Sequence, residues 1–354
     1  MNSMKTFLSL VAALCLAAGC TTSPKSADET AVVPCDSLCG KAVQVDSVLF
    51  RYAYRLRVQG DVAVVFDLHH PDYYCHAFTY PDFKYLSSFA PLGEGPDEVV
   101  SGSDVRFLGP NRVAVLDSNG RKIAIYNGVG KGTAPVLERM VRMEEAVLMP
   151  LDFVPLSGGS FLIPDNSGEH RFSVIDSCGK VQGSKAAYPI SEKELLTTAA
   201  PAVAQAWRSF LAVTPKQDQL VAVTQLGDVM DCYSLPESAK EKVHSVGPDG
   251  EPVFSVTAEG YGIPKGCMGY WDVQATDSCI YALYDGTTFK EIMQQRGESK
   301  QGASVMRVFD LSGKPLHTYV FDRPLAGMFV DEARKTLWAT DVNSDEQLVS
   351  YVLK

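Results

Sequence analysis

A short apolar run that closes on an acidic residue, followed by a polar turn and a second apolar run, returns about every fifty to sixty residues along this chain. It occupies 62–67, 113–117, 161–165, 280–285 and 337–341, ending on Asp67, Asp117, Asp165, Asp285 and Asp341, and a degenerate copy at 220–225 ends on Gln225. Runs of this length, rich in β-branched residues and bounded by turn formers, read as strands. A unit of this size cannot bury its own faces, so copies must stack on one another, and radial stacking gives a propeller. The expected fold is all-β: a six-bladed β-propeller with four antiparallel strands in each blade.

Alternation and turn residues divide the chain accordingly. Blade one takes 54–58, 62–67, 75–80 and 84–89; blade two takes 104–108, 112–117, 122–126 and 136–141. Blade three takes 152–156, 160–165, 171–176 and 181–188; blade four takes 209–213, 219–224, 229–235 and 242–246. Blade five takes 272–276, 279–284, 305–310 and 315–321. The sixth, 327–331, 336–342 and 347–353, is one strand short, and residues 41–48 supply the missing outer strand from the other terminus. Closure by both termini leaves no open edge for aggregation. Two insertions interrupt the rhythm. Ser191 and Glu194 have the spacing of a capping box opening a helix toward Trp207, and 287–296 places Phe289, Ile292 and Met293 on one helical face. Either insertion shapes a binding mouth or covers an edge.

The first nineteen residues read as an export signal: Lys5, an apolar run 7–16, then Ala17, Ala18 and Gly19 before Cys20. Residues 20–40 are a polar, Pro-containing tether, and 41–354 form the propeller domain. Losing the signal removes Lys5 alone from 32 basic residues and none of the 42 acidic ones, which leaves −11. That balance argues against nucleic acid and anionic lipid as partners. Besides Cys15 and Cys20 there are seven cysteines, an odd and irregular set that is no disulfide scaffold. Cys35 and Cys39 are left as a pair able to close a small loop.

Between blades one and two, Gly93, Gly95, Pro96 and Glu98 form a Gly-x-Gly-Pro-x-Glu handover loop, and Gly247, Pro248, Gly250 and Glu251 echo it after blade four. With residues 280–286 and the cysteine that follows the signal, this resembles the TolB-like (NHL-related) six-bladed propeller lipoproteins of the Bacteroidota type, over essentially the whole mature chain. The resemblance implies a cell-envelope binding protein and brings no catalytic residues with it. It also implies a lipid on Cys20, although leucine, usual three places before such a cysteine, sits here one place early at Leu16. The loop is no phosphate cradle, because it carries Glu94, Asp97 and Glu98 and leads into a strand instead of a helix.

Aligned inner strands put Arg55, Asp104, Asp152, Ser209, Asp272 and Met328 at one level around the channel. Three carboxylates there suit calcium or a polar ligand; the same residues serve equally as caps of neighbouring turns. Arg106, Trp207, Arg208, Tyr270 and Trp271 flank the ring as candidates for stacking and hydrogen bonding, or as packing between blades. His69, His70 and His76, with Asp72 and Cys75, are either a metal cluster or a solvated turn. No Gly-x-Ser-x-Gly elbow is present. The expectation is a monomeric, non-enzymatic lipoprotein held to the membrane through Cys20. Its channel mouth binds a peptide, a glycan or an envelope protein through Arg55, Asp104, Arg106, Asp152, Arg208, Tyr270, Trp271 and Asp272. The alternative is a calcium-dependent hydrolase or lactonase using Asp104, Asp152 and Asp272. Thr21 and Thr22 after Cys20 carry no acidic signal for surface export, which favours the periplasmic side of the outer membrane.

Overall fold

The second strand of each blade is buried along nearly its whole length, as in Val62–Asp67, Gln219–Thr224 and Cys279–Tyr284. A strand in the middle of a sheet stacked between two other sheets loses both faces to the core, so it reads as a continuous apolar run instead of an alternating one. The computed structural model describes residues 32–235, 243–248, 250–257, 260–262, 266–295 and 300–354. Among the described residues its strands form six blade sheets in sequence order, each holding the expected four antiparallel strands, with a separate two-stranded sheet of Ser255–Thr257 and Gly260–Gly262 after blade four, and all lie in the unit Val33–Lys354.

The recurring aspartate is a turn clasp. Asp67 accepts from the amides of Arg51, Tyr52 and His69 at 2.7–2.9 Å. Asp117 does the same for Val100, Ser101 and Gly120. Asp165, Asp285 and Asp341 each hold the amide two residues on. Each carboxylate thus satisfies backbone donors that a tight turn leaves orphaned.

Ring closure is as expected in kind and different in detail. Strand β1 (Cys35–Leu38) pairs parallel with Pro315–Leu325, the outer strand of blade five, and becomes a fifth strand there. Strand β2 (Lys41–Ala42) then pairs antiparallel with Leu348–Val352 of blade six. The expected closing strand 41–48 therefore shrinks to two residues, extended by Val43 donating to the Leu348 carbonyl at 2.8 Å. Ser47, with φ of 76°, ends any further pairing. The ordered sheet begins six residues before the expected boundary at 41. An extended strand rises about 3.3 Å per residue, so Cys35 and Cys39 stand too far apart to be bridged while β1 is docked. Both are free and exposed.

The helices also differ. In place of one helix from Ser191 to Trp207 there are α1 (Leu195–Thr198) and α2 (Ala200–Ala206), with no side-chain cap at Glu194. Pro201 has no N–H to continue the ladder of a preceding helix and is tolerated only in the first turn of a new one, and Ala199, at φ −144°, breaks the run. The capping box occurs elsewhere, on α3 (Phe289–Gln294), where Thr288 and Glu291 cap each other. The expected helix at 287–296 is thus the shorter α3, and residue 296 lies outside the described residues, as do Cys20, residue 242 of blade four and residue 249 of the second handover loop.

Four antiparallel strands per blade make every blade begin and end at the same side of the disc. That side, which also carries the second-to-third turns, is the handover face, and α1, α2 and α3 all sit on it. The opposite side carries the first-to-second and third-to-fourth turns and is the hairpin face.

Candidate functional site

Along a strand, residues two apart point the same way, so Arg55 and Arg57, Asp104 and Arg106, and Asp272 and Gln274 form pairs directed at the channel. Arg57 of blade one reaches Asp272 of blade five at 2.9 and 3.1 Å and lies 3.5 Å from Asp104 of blade two. Arg106 of blade two donates to Asp104 at 2.6 Å, to Asp152 at 2.7 Å and to the Leu211 carbonyl of blade four at 2.9 Å. Within the ring of inner strands these contacts link Asp272, Arg57, Asp104, Arg106 and Asp152 in one alternating series of carboxylate and guanidinium.

The aspartates also stitch blades together. Asp152 accepts from its neighbour Phe153 at 2.6 Å and from Leu211 of the next blade at 2.7 Å. Asp272 repeats the pattern with Val273 and Met328, both at 3.0 Å. Gln274 adds a two-way bond to the Val330 backbone at 2.8 and 2.9 Å. Arg55 is buried, lies 3.7 Å over the Tyr54 ring and 4.5 Å over Phe210, and donates to the Ala326 carbonyl at 2.8 Å. Burial opposes charge on all three acids, yet Arg106 and Arg57 hold Asp104 below its ordinary value, and Arg57 with Arg55 do so for Asp272. Asp152 goes the other way: burial, with the Asp104 carboxylate beside it, pushes it up to about 7 against the pull of Arg106.

On the hairpin face this ring floors a cavity of about 240 Å3. Arg57, Arg106 and Gln274 are its polar lining, beside Phe107, Val213 and Phe329. The charged groups presented to that mouth are guanidinium, since Asp104, Asp152 and Asp272 lie almost wholly beneath. Of the remaining candidates, Ser209 leaves the ring to bind Arg171 at 2.9 Å, and Met328 contributes its amide alone. Arg208 binds Gln225 at 2.5 Å. A register shift between Tyr270 and Asp272 turns Tyr270 toward Asp228, 2.9 Å away, where Arg307 completes an ion pair at 2.7 Å. Trp271 packs on the core shared by blades five and six, and Trp207 is buried 5.1 Å from Arg171. These aromatics are packing between elements.

Sequence reasoning missed Arg57 and Gln274, whose signal was their spacing of two from Arg55 and Asp272. It also missed Arg171, a buried guanidinium held by Asp231, Tyr233 and Ser209.

Of the histidines, His70 and His76 meet edge to face with ring centroids 4.5 Å apart, and His69 stands outside that pair. His69 packs on Tyr52, His70 accepts from the amides of Asp72 and Tyr73, and Cys75 enters the core between blades. Among the described residues no three His, Cys, Asp or Glu are placed as metal ligands. His76 is fully buried against Ser88 at 2.8 Å, and burial lowers it to about 4. The unfolded imidazole takes its proton near 6.5 and the folded one only near 4. The stability that neutral His76 supplies is therefore present above pH 6.5 and lost as pH falls to 4, at most about 3 kcal/mol. Urea midpoints of the wild type at pH 7.5 and 4.5 should differ more than those of His76→Gln.

The family model described as TolB-like 6-blade propeller-like matches residues 35–333. Curated proteins give no significant sequence match. Among solved structures, a Bacteroides fragilis protein described only as exported is 12% identical with a TM-score of 0.52, over 90% of this chain and 98% of its own. Virginiamycin B lyase from Staphylococcus aureus is 10% identical with a TM-score of 0.50, over 88% of this chain and 98% of its own. At these identities the likeness is one of fold. With six four-stranded blades in sequence order and a family match beginning at β1, the chain belongs to the TolB-like six-bladed propeller family.

Proposed function

We propose that this chain is a lipid-anchored, non-enzymatic binding protein of the cell envelope, whose hairpin-face mouth takes a peptide, a glycan or a segment of a partner protein. The observation that carries the reading is the pair Arg57 and Arg106, held in fixed positions by three buried carboxylates at the floor of an apolar-walled cavity. Guanidinium held this way loses little freedom on meeting a ligand carboxylate or hydroxyl. A binding role is favoured over hydrolysis because Asp104, Asp152 and Asp272 lie almost wholly beneath the cavity floor; Asp152, although raised to about 7, has its oxygens taken by Arg106, Phe153 and Leu211 and presents none to the mouth.

The test is titration of the full chain with soluble peptidoglycan fragments and with envelope extract, alongside Phe107→Ala, which alters the cavity wall and adds no charge beside Arg57 and Arg106. Saturable binding to an envelope component, weakened at least about ten-fold in the variant, is the expected result. Absence of any bound component, or binding indifferent to Phe107, would overturn the reading. Incorporation of labelled palmitate, abolished in Cys20→Ser, tests the anchor.

A further inference from the structure

The two faces of the propeller differ in charge. Among the described residues, and leaving Asp152 to the channel, the connections on the handover face hold eighteen acidic and seven basic residues. Those on the hairpin face, with the C-terminal Lys354, hold six acidic and eight basic. Glu94, Asp97, Glu98, Glu144, Asp345 and Glu346 typify the first; Lys131, Lys180, Lys216, Lys314, Lys335 and Lys354, all exposed, typify the second. The net charge of the chain is thus concentrated on one side of the disc, and the other side is mildly basic.

The path of β1 supplies an independent direction. Because β1 runs parallel to the outer strand of blade five, pairing Cys35 with Thr318 and Leu38 with Phe321, its N-terminal end lies toward the hairpin face. The contact continues one residue further back, where the Thr318 amide donates to the Pro34 carbonyl at 2.8 Å. Pro34 therefore lies toward the side that carries the lysines.

We propose that the hairpin face, with its arginine-floored mouth, is the side this protein turns toward an anionic lipid surface. The inference rests on the lipid anchor of the preceding reading, and the direction comes from β1 and from the segregated charge. The short separation in sequence between Cys20 and Cys35 keeps an anchored propeller beside the surface, so that it comes within the Debye length of about 8 Å over which headgroup charge acts. Within that distance anionic headgroups attract the lysine-bearing turns and repel the carboxylate-bearing loops. An overall charge of −11 would keep a uniformly charged protein away from such a surface; divided between faces, it orients the disc instead. Ligands would then reach the mouth from the membrane side, and the acidic loops with α1, α2 and α3 would face away.

Lysine footprinting of the full lipidated chain tests this. The chain is bound to phosphatidylethanolamine vesicles containing about a quarter phosphatidylglycerol, and a membrane-impermeant acylating reagent is read by mass spectrometry against the same protein in detergent. Lys180, Lys314 and Lys335 are expected to react at least about three-fold more slowly on vesicles, with Lys290 and Lys300 of the handover face unchanged. The triple variant Lys180→Glu, Lys314→Glu, Lys335→Glu should float with the vesicles and lose the difference. Flotation with equal protection of both faces, or protection of Lys290 and Lys300, overturns the orientation while leaving the anchor standing. A triple variant that keeps the difference overturns the role of charge. Failure of the wild type to float overturns the anchor and this inference with it.

Discussion

Arg106→Met is expected to lower folding stability by about 3–5 kcal/mol, read as a shift of the urea unfolding midpoint at pH 7.5. Arg106 is the shared partner of Asp104 and Asp152, both buried, so methionine leaves Asp104 with Arg57 at 3.5 Å and Asp152 with two amide donors and no ion-pair partner. The cost is that of stranded charge, which sets the control. Asp152→Asn should cost only about 1 kcal/mol, because the amide oxygen still accepts from Leu211 and burial already raises the native carboxyl to about 7. Combining Arg106→Met with Asp104→Asn and Asp152→Asn should recover most of the loss. A single Arg106→Met variant within about 1 kcal/mol of wild type would show that the ring is solvated and makes no clasp between blades.

The second large effect is expected where blade six meets blade one. The Gln347 side chain accepts from the Ala53 amide at 2.7 Å and donates to the Phe50 and Arg51 carbonyls at 3.4 and 3.3 Å. Ala53 is fully buried, so Gln347→Leu leaves its N–H without a partner in the core. A loss of about 2–4 kcal/mol follows from one orphaned donor and two weakened acceptors. Hydrogen exchange should rise at the Ala53 amide and along blade one before it rises elsewhere. If exchange instead rises uniformly, the seam is no weaker than the other blade contacts.

The blades were legible because a sandwiched strand is apolar on both faces, and a sequence displays that without any knowledge of partners. The strand bounds of 62–67, 219–224 and 279–284 therefore coincide with the structure. What did not show was decided by contacts between distant segments. No local pattern marks Cys35–Leu38 as a strand, since its partner is Thr318–Phe321. The helix after Ser191 was misjudged by giving a capping pattern more weight than Pro201. At the channel, the level of Asp104, Asp152 and Asp272 was readable from strand alignment. Their engagement was not, because Arg57 comes from blade one and crosses to blade five. The oxygens that looked available to calcium are shared among guanidinium and amide donors whose positions only the closed ring defines.

The parallel docking of β1 also has a mechanical consequence. Force applied at Pro34 along the axis of β1 runs the length of the strand, whose far end continues into blade six. Load along a strand axis strains its inter-strand hydrogen bonds together, whereas load across it would break them one at a time. Leu38 is packed among Tyr319, Phe321 and Tyr351, and Asp36 is held by Lys354 at 2.5 Å and His317 at 3.1 Å. β1 is therefore placed in shear, so that tension applied at Pro34 must slide a strand past its partner before it can peel the ring open.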